Sequence, residues 1–555
     1  MPLAAPLRAS VLVSIRARGR RALLRSLLAA GLVVGLLPPA PVRAADLLEI
    51  QLDGMALPLR VDELEAWSRD PARPQGDLGA WLDLLDARRR QALLRLLRAP
   101  LLRDRSMAQQ LLESWAGQRL LASAGGLLST EQGNAGPLLH AALTRLLRQQ
   151  EVVTTLELLR ALPTRSITLK LDGVLALASQ WQQQLQAQSQ ALKVLRRLPL
   201  SQGSPLLPLT DGLVLARGKG VSLMPQGRPP ARLELAVLHR REPLQLQVWQ
   251  PDQPRADAPW LLLSPGLGGS SAQLEWLAAA LSERGWAVLL LEHPGSDEPA
   301  MRAWLEGRRP PPAAETLGDR LRDLQAVVQA VQRGSLPRLG SSVVLVGHSL
   351  GAVSSLMAAG LRPEPGLQRR CDRALDGLPL SNLSRLLQCQ LPYVQLPPPE
   401  PLAQPVAAVV CLNGFGSLLW PQHGLRPLRL PVLLMGGSLD LITPPLSEQL
   451  RLFLPAGHPR SRLVMLEGGS HFSPVRIGVG NQALFQLGEE LVGVDPGRMQ
   501  ALILSLSSDF LQGVSRPGLG GVIPQQRRLG GVTAYVLDRS RALEWRDQIQ
   551  VPAGN

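Results

Sequence analysis

The sequence is poor in aromatic residues, in lysine and in cysteine, and each shortage excludes something. Phe, Trp and Tyr together make up 3% of the chain. Its cores must therefore be built from Leu, Val and Ala rather than from stacked rings. Lysine occurs only at Lys170, Lys193 and Lys219, so the formal charge of +15 rests on arginine. Those arginines are scattered, and no basic run interleaves with aromatics, which excludes a nucleic-acid platform. The bias reads as arginine-rich composition, with anionic lipid the one polyanion contact left open. The three cysteines, Cys371, Cys389 and Cys411, have no metal-ligand spacing. No metal and no organic cofactor is expected. Cys411 lies in the apolar run Val406 to Leu412 and reads as an inert buried thiol. The apolar stretch Leu27 to Leu37 is too short to span a bilayer.

What is present begins with a basic start. Arg8, Arg16, Arg18, Arg20, Arg21 and Arg25 precede Leu27 to Leu37, and Val42-Arg43-Ala44 has the small-x-small pattern of a cleavage site. Residues 1–44 are expected to be an export signal, with Arg20-Arg21 loosely like a twin-arginine type. An uncleaved anchor is the alternative. Export to a periplasmic or other extracytoplasmic space would let Cys371 and Cys389 form a disulfide; without it they are two free thiols.

Residues 45–165 read as a small helical domain after a strand-like start at Leu47 to Val61. Leucines recur at helical spacing after Asp77, at Leu93 to Leu97, from Met107 to Leu121, from Leu138 to Leu147 and from Thr155 to Leu162. His140 stands alone there and is expected to be structural. Residues 166–204 hold a strand-like Ile167 to Leu171, a Gln-rich helix around Trp181 to Leu195 and a Ser/Pro/Gly linker. From 205 to 555 the rhythm becomes strand-helix alternation. Arg232 to His239 and Leu244 to Trp249 suit an antiparallel pair. Trp260 to Leu263, Ala287 to Leu291, Val343 to Val346, Val406 to Leu412, Pro431 to Met435 and Arg462 to Leu466 are buried-strand runs. Ser270 with Gln273, Thr316 with Asp319, and Thr443-Pro444 are the expected helix starts. The pattern implies a doubly wound, mostly parallel α/β sheet. Residues 362–405 break the rhythm and read as a lid insertion over the sheet edge. Val532 to Leu537 is strand-like without an evident place.

Gly347-His348-Ser349-Leu350-Gly351 fits G-x-S-x-G between a buried strand and a helix of small residues. That is the setting of a nucleophile elbow, where the turn is too tight for side chains at the glycines and the serine is strained. Asp440 and His471 follow two later strands, so Ser349, Asp440 and His471 stand at strand ends in the order of an α/β-hydrolase triad. A serine hydroxyl needs a base to remove its proton, and a carboxylate to hold the base's tautomer. The oxyanion needs donors, expected from the backbone N–H groups of Leu350 and of Leu267 in Pro265-Gly266-Leu267-Gly268-Gly269. That glycine run lacks the lysine of a phosphate loop. His293 and His348 are taken as structural or substrate-facing, and Asp297 is the runner-up acid.

Ser264 to Gly269, Glu292-His293-Pro294-Gly295-Ser296, Gly347 to Gly351 and Glu467-Gly468-Gly469-Ser470-His471-Phe472 resemble a group of cyanobacterial α/β-hydrolases of uncharacterised function. In that group an exported helical domain of unknown function precedes the hydrolase. Leu162-Pro163-Thr164-Arg165 and Leu380-Ser381-Asn382-Leu383-Ser384 extend the likeness to most of the chain after residue 45. More distantly, the core is similar to platelet-activating-factor acetylhydrolases, which are serine esterases. Those enzymes carry the acid after the strand equivalent to Val406 to Leu412, where this chain has Asn413. The resemblance implies the α/β-hydrolase fold and an exported serine esterase acting on a small-molecule or lipid ester. The elbow does not separate this from a thioesterase, an acyltransferase or a dienelactone-type hydrolase. A reading of another class makes the helical domain the functional part, binding a membrane or a protein. The sequence sets no oligomeric state.

Overall fold

The computed structural model describes residues 45–203, 213–214, 222–223, 228–377, 381–476, 493–516 and 522–549, apart from 84, 103, 104 and 132. The expected export signal at 1–44 lies outside the described residues, as does Leu380.

The chain builds a large twisted sheet. Six parallel strands form its centre, in the spatial order Val288–Leu291, Trp260–Ser264, Val343–His348, Val406–Leu412, Val432–Gly437 and Arg462–Glu467. Leu244–Trp249 and Ala231–Leu235 extend one side as the expected antiparallel pair. On the other side Val532–Leu537 pairs antiparallel with Arg462–Glu467, followed by Gln525–Leu529 and the short Ser201–Gln202. The strand without an evident place therefore lies inside the far side of the sheet, two strands from its edge.

Period-two alternation explains why these strands carry almost no polar residues. Trp260, Leu262, Val343 and Leu345 face one core, while Leu261, Leu263, Val344 and Val346 face the other. Helices Leu317–Arg333, Leu350–Ala358 and Leu171–Leu195 cover the first face. Helices Glu275–Ser282 and Pro496–Ser515 cover the second. Strands buried on both faces need apolar side chains on both. Each buried leucine contributes roughly 2 kcal/mol on leaving water.

Several expected helix starts are corrected. Ser270 makes no side-chain cap; a 3₁₀ turn at Ser271–Gln273 precedes the helix instead. Thr316 turns its hydroxyl back to the Ala313 carbonyl rather than forward to the helix N-terminus. Thr443 is drawn to Asp440, and helical turns begin only at Leu446.

The N-terminal region is not helical alone. Leu47–Leu52 and Met55–Arg60 form a hairpin across Asp53-Gly54, where both residues have positive φ as a tight Asp-Gly turn requires. Strand Ser166–Lys170 then pairs parallel with Leu47–Gln51. The expected boundary at 165 thus cuts a five-stranded sheet, and the unit runs to Lys170. The long amphipathic stretch Met107 to Leu121 is two helices, Arg105–Glu113 and Trp115–Leu127, because Ser114 caps the second by accepting from Gly117 N–H at 3.1 Å.

Helix Leu171–Leu195 carries the chain from this unit onto the large sheet. Trp545, in the helix Arg539–Ile549, donates its indole N–H to the Ala191 carbonyl at 2.8 Å. Among the described residues no helix is long and apolar enough to cross a membrane.

Candidate active site

The elbow is built as its glycines require. Ser349 sits at φ 53° and ψ −118°, a strained conformation for a residue with a side chain. A Cβ on Gly347 would lie 2.2 Å from the Gly351 carbonyl oxygen, and one on Gly351 would lie 2.2 Å from that of Ser264. Only glycine permits the strand, the turn and the helix to approach so closely. Ser349 N–H donates to the Leu412 carbonyl at 2.9 Å, which ties the turn to the neighbouring strand. Leu350 is the first residue of its helix, so its N–H has no intrahelical acceptor.

Asp440 lies wholly buried after strand Val432–Gly437. Its Oδ1 accepts from the N–H groups of Ile442 and Thr443 at 2.9 and 2.8 Å. Its Oδ2 accepts from Asn413 Nδ2 and Thr443 Oγ1, each at 2.6 Å, and faces His471 Nδ1 at 2.9 Å. Burial alone would raise this carboxyl, but His471 and the surrounding donors outweigh it and hold it below the usual carboxylate range. With Nδ1–H committed to Asp440, the Nε2 of His471 is the free base.

The histidine loop is held as firmly. A Cβ on Gly437 would lie 2.2 Å from the Gly469 carbonyl oxygen, so the acid and histidine loops touch backbone to backbone. Leu439 N–H donates to that carbonyl at 2.8 Å. His348 is buried. Its Nε2 donates to the His471 carbonyl at 2.9 Å, and the two rings lie 5.0 Å apart. Burial, with His471 nearby, pushes His348 down to about 3, so it stays neutral. Ser349 keeps 7% of its surface exposed and His471 keeps 5%. Among the described residues no group hydrogen-bonds the Ser349 hydroxyl.

The Pro265 to Gly269 loop runs beside Ser349: a Cβ on Gly266 would sit 3.2 Å from the Ser349 Cβ. A buried network fixes this loop from beneath. Arg320 donates to the carbonyls of Pro265 and Gly266, both at 2.8 Å, and to Ser296 Oγ at 2.8 Å. Gly268 N–H donates to the Ser296 carbonyl at 2.7 Å. Among the described residues the Leu267 N–H has no acceptor.

His293 belongs to this network and does not face substrate. It is 1% exposed, with Nε2 2.6 Å from Ser264 Oγ and Nδ1 2.8 Å from Asp323 Oδ2. Burial drives it down to about 4. Asp323 also holds His239 and the Arg240 guanidinium. Burial would raise the Asp323 carboxyl, but those donors hold it below the carboxylate range. Asp297 caps helix Glu298–Leu305 by accepting from Ala300 N–H at 3.0 Å, whereas it is Asp440 that meets His471. Asn413, Thr443, Arg320 and Asp323 were not singled out as site residues from sequence. Only the Asn413 position, directly after strand Val406–Leu412, carried a signal.

The insertion at 362–405, expected to be a lid, carries two short helices, Leu367–Ala374 and Ser384–Gln388. Cys371 and Cys389 join them as a disulfide, with Cα atoms 5.3 Å apart. Glu448, wholly buried, accepts from Asn382, Ser384 and Gln388 of the lid and from Gly416 and Ser417 of the core. Cys411 is buried and its thiol is pushed up by that burial, as an inert thiol should be.

Residues 261–476 match the model of the alpha/beta hydrolase family. Residues 44–170 match that of an alpha/beta hydrolase of unknown function (DUF1400). No curated protein matches the chain. The six central parallel strands, the elbow and these matches agree: the chain has the α/β-hydrolase fold and carries a domain of the α/β-hydrolase family.

Proposed function

We propose that the protein is an exported serine hydrolase cleaving carboxylic esters of acyl or lipid-like substrates. The observation that carries this reading is the buried Asp440–His471 hydrogen bond, set beside a strained serine on a glycine elbow. In the proposed cycle His471 Nε2 takes the Ser349 proton as Oγ attacks the ester carbonyl. The N–H groups of Leu267 and Leu350 receive the oxyanion. Collapse expels the alcohol, which takes the proton from His471, and leaves an acyl-enzyme. Water, deprotonated by His471, repeats the sequence and frees the acid. Asp440 orients the imidazole and stabilises its cation.

An ester substrate is favoured by the chain's likeness to serine esterases in the Gly-Leu-Gly loop and the Gly-His-Ser-Leu-Gly elbow. Export is favoured by the Cys371–Cys389 bond, since disulfides persist in oxidising compartments. A peripheral contact with anionic lipid fits the arginine excess.

A fluorophosphonate probe and an ester library test the proposal. Wild-type protein is expected to label and to hydrolyse, and Ser349→Ala to do neither. Asp440→Asn is expected to lose about 10⁴-fold in kcat through the wrong imidazole tautomer. Labelling that survives Ser349→Ala would refute the assignment.

A further inference from the structure

One large apolar cavity lies away from Ser349. It lies in the N-terminal unit and has a volume of about 630 Å³. Its lining is almost wholly leucine, drawn from the strand Leu47–Leu52 and from helices including Ala87–Arg98, Arg105–Glu113 and Trp115–Leu127. Small ligand pockets span roughly 300–1,000 Å³, so this one is of ligand size.

Water against such walls finds no hydrogen-bond partner on them, so an apolar occupant displaces it favourably. Left empty, the cavity forfeits dispersion contacts on every wall, a loss comparable with the whole stability of a small domain. The cavity therefore calls for an apolar occupant. Two lining leucines, Leu96 and Leu101, are 57% and 45% exposed and mark an opening to the surface. One polar residue lines the wall: Thr155, whose buried hydroxyl has no hydrogen-bond partner among the described residues. A long unbranched chain with one uncharged oxygen meets all three conditions.

We infer that this cavity is a binding site for the hydrocarbon chain of a lipid. The site is separate from Ser349 and stands whether or not the triad is active. Its walls also reach the catalytic domain. Helix Trp115–Leu127 carries Ser123, which donates to the Gly377 carbonyl in the lid at 3.3 Å, and Trp115, whose ring lies 6.2 Å from that of Tyr393. Helix Arg105–Glu113 packs on helix Glu298–Leu305, whose Met301 lies against Gly268. A chain in the cavity braces the helices behind both the lid and the oxyanion loop.

The test uses the full chain bearing Ser349→Ala, so that hydrolysis plays no part, and a diazirine-bearing hexadecanol as probe. Saturable crosslinks are expected in peptides spanning Leu93 to Leu128. Ala124→Phe, which places a ring in the cavity, is expected to weaken capture by about tenfold. Crosslinks confined to residues 261–476, or no saturable capture, would overturn the inference. So would undiminished capture by folded Ala124→Phe; should that variant not fold, the crosslink map alone decides. Solvent extraction of protein purified without detergent separates the sources. An intact glycerolipid indicates a membrane lipid, and a free fatty alcohol or hydrocarbon a soluble one. Recovery of neither, together with absent crosslinks, counts against the site.

Discussion

His293 and His348 stand back to back with the chemistry, buried and neutral, each held by a hydrogen bond that the reaction does not consume. Their folded values, about 4 and about 3, lie below the ordinary 6.5. Below about pH 6.5 the unfolded chain therefore takes up protons that the folded one refuses. Stability is full above that pH and falls as pH drops toward about 4, where His293 begins to charge in place. The depressed carboxyls of Asp323 and Asp440 add to the loss at the acid end. Denaturant titrations at about pH 7.5 and about pH 4.5 should differ by several kcal/mol, since each tenfold difference in proton affinity between the folded and unfolded chain is worth about 1.4 kcal/mol. His348→Gln, which cannot take the proton, should give a shallower slope. An equal slope in that variant would contradict the account. At this scale the sequence was legible where a motif is local. Ser349 announces itself through two glycines, and His471 through its place after a strand. Asn413 and Arg320 do not, because their partners lie 27 and about 55 residues away in the chain and no local pattern joins them. Asn413 is instructive: it follows one strand and donates to the carboxylate of Asp440, which follows the next.

Among the elements, the 362–405 insertion shows how one buried carboxyl group can fasten a segment with little regular structure. Glu448 satisfies both oxygens with donors from the lid and the core. Removing it leaves those donors buried and unpaired. Glu448→Ala should cost on the order of 3 kcal/mol. It should also open residues 381–390 to limited proteolysis while cleavage elsewhere stays unchanged. Uniform cleavage along the chain would show that Glu448 stabilises the core and not the lid. Buried parallel strands were the most legible elements, since an unbroken apolar run bounded by turns has few other readings. The N-terminal sheet was less so. Strand Ser166–Lys170 has strand composition, but its partner Leu47–Leu52 lies about 119 residues earlier. Helix starts failed where a capping residue found a better use, as Thr443 did at Asp440.

For the molecule as a whole, the placement of Val532–Leu537 decides how the units are joined. The alternation identified a strand, but its neighbour could be known only from the assembled sheet. That hairpin leads to helix Arg539–Ile549, whose Trp545 is buried against the connecting helix from the N-terminal unit. Trp545→Ala should cost about 3–5 kcal/mol. It should lower the thermal midpoint of the hydrolase domain, read by loss of ester turnover on heating. An unchanged midpoint would mean that the terminal helix is an ornament of the fold.

The Trp545 bond to Ala191 spans 354 residues, and the Ser201 hydroxyl meets the Pro524 carbonyl across 323. Synthesis therefore makes the connecting helix and the short edge strand long before the segments that cover them. Until the last stretch emerges, a helix face and a sheet edge wait uncovered, a state prone to mispairing. Contacts of such sequence distance also slow folding. The connecting helix and the edge strand thus wait for their cover until residues 522–549 have been made, so this side of the sheet is completed late.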